Sequence, residues 1–201
     1  MATFPTTIKP SSAKLVSVSP TMVSTTHALT RQVRTRDAQR WAIVVTYPPH
    51  NRADAYREMW AFLIAQGGRA GAFEYKFPTM FNRGDWAGSP LIAGAGQAGP
   101  SVNLDAFTPG ATIKAGDLFK IGSTQKKVYM VTTDTTADGS GLATVSIWPP
   151  LAATPSDNAV ITGHWSGAPI GFNVSLADDK FGIDIDQCER YGLTLELEEV
   201  L

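Results

Sequence analysis

Residues 46–77 read TYPPHNRADAYREMWAFLIAQGGRAGAFEYKF, and this stretch decides the fold. Pro48 and Pro49 close the strand-like run before it, because proline has no N–H to give to a ladder. Asn51 follows as a helix N-cap, and Asp54 sits three residues on, where the helix dipole favours an anion. Tyr56, Met59, Trp60 and Leu63 then recur at i, i+3, i+4 and i+7, which is one face of a helix. Phe62 and Ile64 widen that face. Gly67-Gly68 ends it through a left-handed cap. The spacing predicts an amphipathic helix over about residues 51–66 that needs a sheet to lie on. The aromatic stripe reads as core rather than as a cofactor box. Beyond Gly71, the residues Phe73, Tyr75 and Phe77 point one way while Glu74 and Lys76 point the other. That is a returning strand, closed by Pro78.

Outward from this segment the chain is strand-like. On its N-terminal side RWAIVVTY (Arg40 to Tyr47) is too continuously apolar for an exposed edge and reads as a central strand. Lys14 to Val18 alternates, with Leu15, Val16 and Val18 among polar residues. Ala28 to Arg34 carries Leu29, Gln32 and Val33, with Arg31, Arg34 and Arg36 as a solvated face. Residues 1–13 are rich in Pro, Thr and Ser and read as an extended arm. On the C-terminal side the composition shifts at Arg83. Residues 83–110 are Gly-rich and read as a linker or long loop, with a short strand at Ser101 to Leu104. Strands follow at Asp117 to Ile121, Lys127 to Thr132, Leu142 to Trp148 and Ala159 to Ile161. Turns lie at Gly116-Asp117, Gly122-Ser123 and Asp138 to Gly141. Four short strands at close spacing predict a small β-barrel or sandwich. Ile170 to Leu176, Phe181 to Ile185 and Leu193 to Val200 close the chain. Glu196, Glu198 and Glu199 read as the solvated face of the last strand.

The totals agree with this. The chain has 201 residues, 18 Gly, 13 Pro and a net charge of -1, a profile that suits many short strands joined by turns. Low, balanced charge argues against tightly held nucleic acid. Cys188 is the one cysteine, so no internal disulfide forms, and it reads as a small, semi-buried residue. The N-terminus has no apolar signal segment and no run reaches the length of a membrane helix. The expectation is a soluble protein made in the cytoplasm.

Chemical motifs are weak. Gly94-Ala95-Gly96-Gln97-Ala98-Gly99 matches GxGxxG, but Pro100 and a strand-like SVNLD follow where a nucleotide site needs a helix. His27, His50 and His164 lack zinc-site spacing. Asp178, Asp179, Asp184 and Asp186 lack the calcium-loop pattern. Asn173-Val174-Ser175 is a sequon without a secretory context. No catalytic, cofactor-binding or metal-binding residue is assigned, no cofactor is expected, and the chain reads as a non-enzyme.

RWAIVVTYPP, YREMWAFLIAQGG and GAFEYKFP together resemble the distal tail and lambda-type minor tail proteins of long-tailed bacteriophages. The matching positions are Trp60, Phe62, Leu63, Gly71, Phe73, Phe77 and Pro78. YGLTLELEEVL resembles their closing strand. AGDLFKIGSTQKKVYMVTTDTTADGSGLATVSIWPPL resembles a module of phage tail and baseplate proteins, through Gly116, Asp117, Phe119, Ile121, Gly122, Tyr129, Val131, Gly139, Gly141, Ile147 and Pro149. The resemblance implies a mainly β fold: a β-sandwich packed by a single helix, with an inserted small β-barrel or sandwich. Residues 1–83 plus 165–201 form the discontinuous first domain, and 84–164 form the insertion. It also implies a structural virion protein at the tail tip, in a homo-oligomeric, hexameric ring joining the tail tube to hub, baseplate or fibres. No membrane or specific nucleic-acid partner is implied, and a lumen that passes DNA should not be strongly basic. The alternative is a carbohydrate- or receptor-binding β-module displaying Trp86, Trp148 and Trp165, with a tail-associated hydrolase as a weaker third reading.

Overall fold

The computed structural model describes residues 2–35, 38–51, 53–77, 83–122, 125–166 and 169–201. Arg36, Pro78 and Ser123, each given a part in the sequence reading, lie outside the described residues. In chain order the elements are β1 (Ser12–Val18), β2 (Thr21–Thr25), β3 (Arg31–Thr35), β4 (Arg40–His50), α1 (Ala53–Ala65), β5 (Phe73–Lys76), β6 (Gly88–Ile92), β7 (Ser101–Phe107), β8 (Thr112–Ile113), β9 (Leu118–Ile121), β10 (Val128–Val131), β11 (Thr135–Thr136), β12 (Ala143–Trp148), β13 (Ile161–Gly163), β14 (Gly171–Leu176), β15 (Ile183–Ile185) and β16 (Tyr191–Glu199). The fold is mainly β with one α-helix, as expected.

The first sheet is ordered β1-β4-β16-β14-β5, with β15 also on β16. Its strands therefore come from both ends of the chain. Strand period sorts its faces. Trp41, Ile43, Val45 and Tyr47 on β4 are buried, as are Leu193, Leu195 and Leu197 on β16. The register pairs Tyr47 with Leu193, Val45 with Leu195 and Ile43 with Leu197, so these side chains share one face. Tyr56, Met59 and Leu63 of α1 are buried in the same cluster. Tyr56 stacks on Tyr191 and its hydroxyl donates to the carbonyl of Pro48. Trp60 is only half-buried, against Phe181, and Ile64 is exposed. The buried stripe is thus narrower than the apolar stripe in the sequence. Gly67, at φ +66°, makes the left-handed turn after the helix.

Three expectations are corrected here. β4 does not stop at Pro48-Pro49; it runs to His50, which pairs with Tyr191. The register slips between Tyr191 and Leu193, and this bulge is where a strand tolerates residues that cannot donate. Residues 1–13 are not a free arm. Phe4 and Ile8 are buried, and Phe4 meets Tyr47, Phe62, Phe73 and Tyr75. Backbone bonds between Ala2, Phe4 and Glu74 cover the outer edge of β5, which answers the hazard of an open edge. Residues 83–110 are not a linker: they supply β6 and β7.

The second sheet is ordered β13-β9-β10-β12-β7-β6. An antiparallel bridge from Leu91 to Val160 and backbone bonds from Ile92 to Ala159 and from Asn158 to Ile92 join its two ends. The result is a nearly closed barrel, and closure removes edges. Phe119, Ile121, Tyr129, Val131, Val145 and Ile147 fill its interior. Leu118 and Val128, on the opposite face of β9 and β10, belong instead to the core under the first sheet. That is why β9 and β10 read as continuous apolar runs rather than as alternating ones.

Candidate functional site

The first feature is a projecting ribbon. Among the described residues β2 and β3 pair only with each other, from Thr21 with Thr35 to Thr25 with Arg31. They continue the β1–β4 pair, whose last rung is Val18 with Arg40, after a break at Pro20. Every residue of both strands is exposed. Val18, Met22, Val23, Leu29 and Val33 are among the large exposed hydrophobic side chains of the described residues. Leu29, at the tip, holds φ +59°. A two-stranded ribbon with both edges open is marginal alone in water; such a surface marks an interaction site.

The second feature is the junction of the two sheets. Lys127, beside β10, is 3% exposed and forms an ion pair with Glu199, which is fully buried by its side chain. The Lys127 ammonium also donates to the backbone and side-chain oxygens of Gln39, both at 2.8 Å. Glu199 accepts from the N–H groups of Trp41 at 3.1 Å and Val128 at 3.2 Å. Trp41 Nε1 donates to the Val128 carbonyl at 2.9 Å. All three ammonium protons and both carboxylate oxygens are used, as a buried pair requires. Burial pulls the Lys127 ammonium below its ordinary value, against the raising effect of Glu199. Glu199 is not part of a solvated face. By strand period it falls with Leu193, Leu195 and Leu197, while Glu196 and Glu198 fall on the other face; there Glu198 meets Arg40 at 3.1 Å. The alternation was legible in the sequence; the partner on the barrel was not.

Inside the barrel, Asp117 is fully buried. Its carboxylate accepts from Gly84 N at 3.1 Å, Lys114 N at 2.9 Å and Trp86 Nε1 at 2.8 Å, and also from Arg83 N. Trp86 stacks on Trp165 with ring centroids 3.9 Å apart and planes 1° apart. Asp117 thus ties the strand entering the barrel to its wall, and the two tryptophans join entry to exit. In the sequence Gly116-Asp117 reads as a turn, and Asp117 as the start of a strand and a position of the phage-tail module, without this buried role.

Other residues singled out in the sequence scatter. Trp86 is 1% exposed, so it displays nothing to a sugar, and one face of Trp165 is spent on it. Gly94, Gly96 and Gly99 lie in the turn between β6 and β7 at positive φ with open space around them, and the strand β7 follows, not a helix. His27 is exposed on the turn of the ribbon, His50 ends β4, and His164 is buried in a short 3-10 helix, His164–Ser166. Asp179 accepts from Arg69 N at 3.1 Å, and Asp186 pairs with Arg190 at 2.6 Å. Among the described residues no group of three or more His, Cys, Asp or Glu is placed to hold a metal ion. Cys188 is exposed, not semi-buried. Asn173 is buried. No helix among the described residues is long and apolar enough to cross a membrane.

A cleft of about 990 Å³ opens beside the junction, lined in part by Glu74, Lys120, Gln125, Ser156 and Thr162. Lys120 donates to the Gly171 carbonyl at 3.0 Å, and burial lowers its pKa.

No curated protein matches this chain. Residues 79–163 match the family model described as distal tail protein pb9, B domain. The described residues among them form the barrel with its entry segment, Asp117, Trp86 and the β9–β10 wall. Over these residues the chain is similar to the B domain of a distal tail protein.

Proposed function

We propose that the chain is a ring subunit of the tail tip. It packs against copies of itself, six to a ring, and joins the tail tube to the hub, baseplate or fibres. The observation that carries this reading is the β2–β3 ribbon, with all residues of both strands exposed and both edges unpaired among the described residues. A ribbon with exposed valines and open edges is stabilised by neighbours that complete it, and repeated head-to-tail contacts close a ring. The role is architectural rather than enzymatic. We propose the division into residues 1–83 plus 165–201, which form the ring, and 84–164, which form an inserted barrel on its rim. Two buried clusters, one under the first sheet and one within the barrel, support that division, with Leu118 and Val128 of the barrel wall joining the first.

Mass photometry and negative-stain imaging of the purified chain, alone and with its tail-tube protein, test the reading. The expected result is a discrete ring that disappears when residues 21–35 are replaced by a short Gly-Ser turn. A monomer at all concentrations, with no ring on the tube, overturns it.

A further inference from the structure

The two edges of the first sheet differ in charge. One edge is β1, continued by the ribbon; among the described residues no strand pairs with the outer side of β1. Residues 12–35, which form β1 and the ribbon, contain Lys14, Arg31 and Arg34 and no acidic residue. Arg31 and Arg34 are exposed and form no ion pair among the described residues. On the far side of β4 lies β16, and beyond it β15, whose outer side is also unpaired. Residues 178–190 carry Asp178, Asp179, Asp184, Asp186 and Glu189 against Lys180 and Arg190. Asp184 and Glu189 are exposed and make no ion pair among the described residues. Ile185 is 59% exposed beside them, a counterpart to the exposed valines of the ribbon.

We propose that these opposite edges are the two halves of one head-to-tail interface. The basic β1 edge and ribbon of one copy dock on the acidic β15 edge of the next copy. The inference rests on the ring reading and names its contact. The arrangement has the elements that a heterologous contact needs: two different surfaces, on opposite sides of one sheet, with complementary charge and apolar residues between. A second copy fits better than a different protein because one chain supplies both halves. Mutual pairing also takes the ribbon's arginines out of a DNA-passing lumen, where they would hold phosphate.

Three proteins test this by sedimentation equilibrium and mass photometry: Arg31→Glu with Arg34→Glu, Asp184→Lys with Glu189→Lys, and the chain carrying all four changes. All the sites are exposed, so folding should be retained; circular dichroism checks this. Each double variant is expected to self-associate about tenfold or more weakly than the wild type. The fourfold variant should recover, and so should an equimolar mixture of the two double variants. Wild-type association should weaken by a similar factor between about 50 and about 500 mM salt, as the Debye length shrinks. A ring unaffected by either double change and by salt overturns this interface and leaves the ring reading standing. A wild-type chain that stays monomeric with and without the tube protein overturns both.

Discussion

The Lys127 ammonium of the barrel and the Glu199 carboxylate of the closing strand form a buried ion pair across the junction of the two sheets. Between them they use four hydrogen-bonding groups, the two oxygens of Gln39 and the N–H groups of Trp41 and Val128. The pair fixes how the barrel sits on the sheet that also bears the ribbon, since Gln39 lies between β3 and β4 and its side-chain amide donates to Ser17 of β1 at 3.1 Å.

Removing either partner leaves the other buried and unpaired. Glu199→Ala and Lys127→Met are each expected to cost about 3–5 kcal/mol. The double variant should cost less than the sum, because the stranded charge is gone. It should not return to wild-type stability, because the N–H groups of Trp41 and Val128 lose their acceptor. Urea denaturation of the four proteins gives the cycle, and full additivity would contradict a direct pair.

Asp117→Ala strips the acceptor from three backbone N–H groups and the Trp86 indole. Buried donors without a partner cost about 1–3 kcal/mol each, so a loss of at least about 3 kcal/mol is expected. It should fall on the barrel. Tryptophan emission, which reports the Trp86–Trp165 stack, should move to lower denaturant concentration.

Gly67→Ala places a Cβ at φ +66°, where L-residues pay about 1 kcal/mol. Nothing lies within 4 Å of that Cβ, so the cost is conformational and not steric. Thermal unfolding should show a drop of a few degrees without loss of the fold. A neutral result would mean the helix end tolerates another cap.

His164 gives a pH dependence. Both ring nitrogens are buried without a hydrogen-bond partner among the described residues, and burial lowers the imidazole pKa. Below about 6.5 the unfolded chain binds a proton that the native state resists. Stability therefore falls as pH drops through the unfolded value toward the lower native one. His164→Leu should flatten that decline and cost little near neutrality, because no hydrogen bond is lost. Chemical denaturation at about pH 7.5 and about pH 5.5 reads it. An equal decline in the variant would assign the effect to other groups.

The sequence by itself determined the helix at 53–65, its glycine stop, the inward strand faces and the strands of the barrel wall. These follow from local periods, 3.6 and 2, and from turn residues that act within a few positions. The pattern of residues 115–151 also carried a resemblance to phage tail proteins, and those residues lie within the segment that the distal tail protein model matches. Other features were decided only by the tertiary structure. Glu199 is buried because Lys127, seventy-two residues away, meets it. Pro48 and Pro49 stay in a strand because β16 bulges opposite them. Residues 88–92 and 101–107 are strands because the rest of the barrel supplies their edges, despite the glycine-rich turn between them. Cys188 is exposed because it lies in a turn that Asp186 closes by accepting from Cys188 N and Arg190 N. In each case the deciding energy is burial or a hydrogen bond to a partner remote in sequence, and such partners leave no periodic trace.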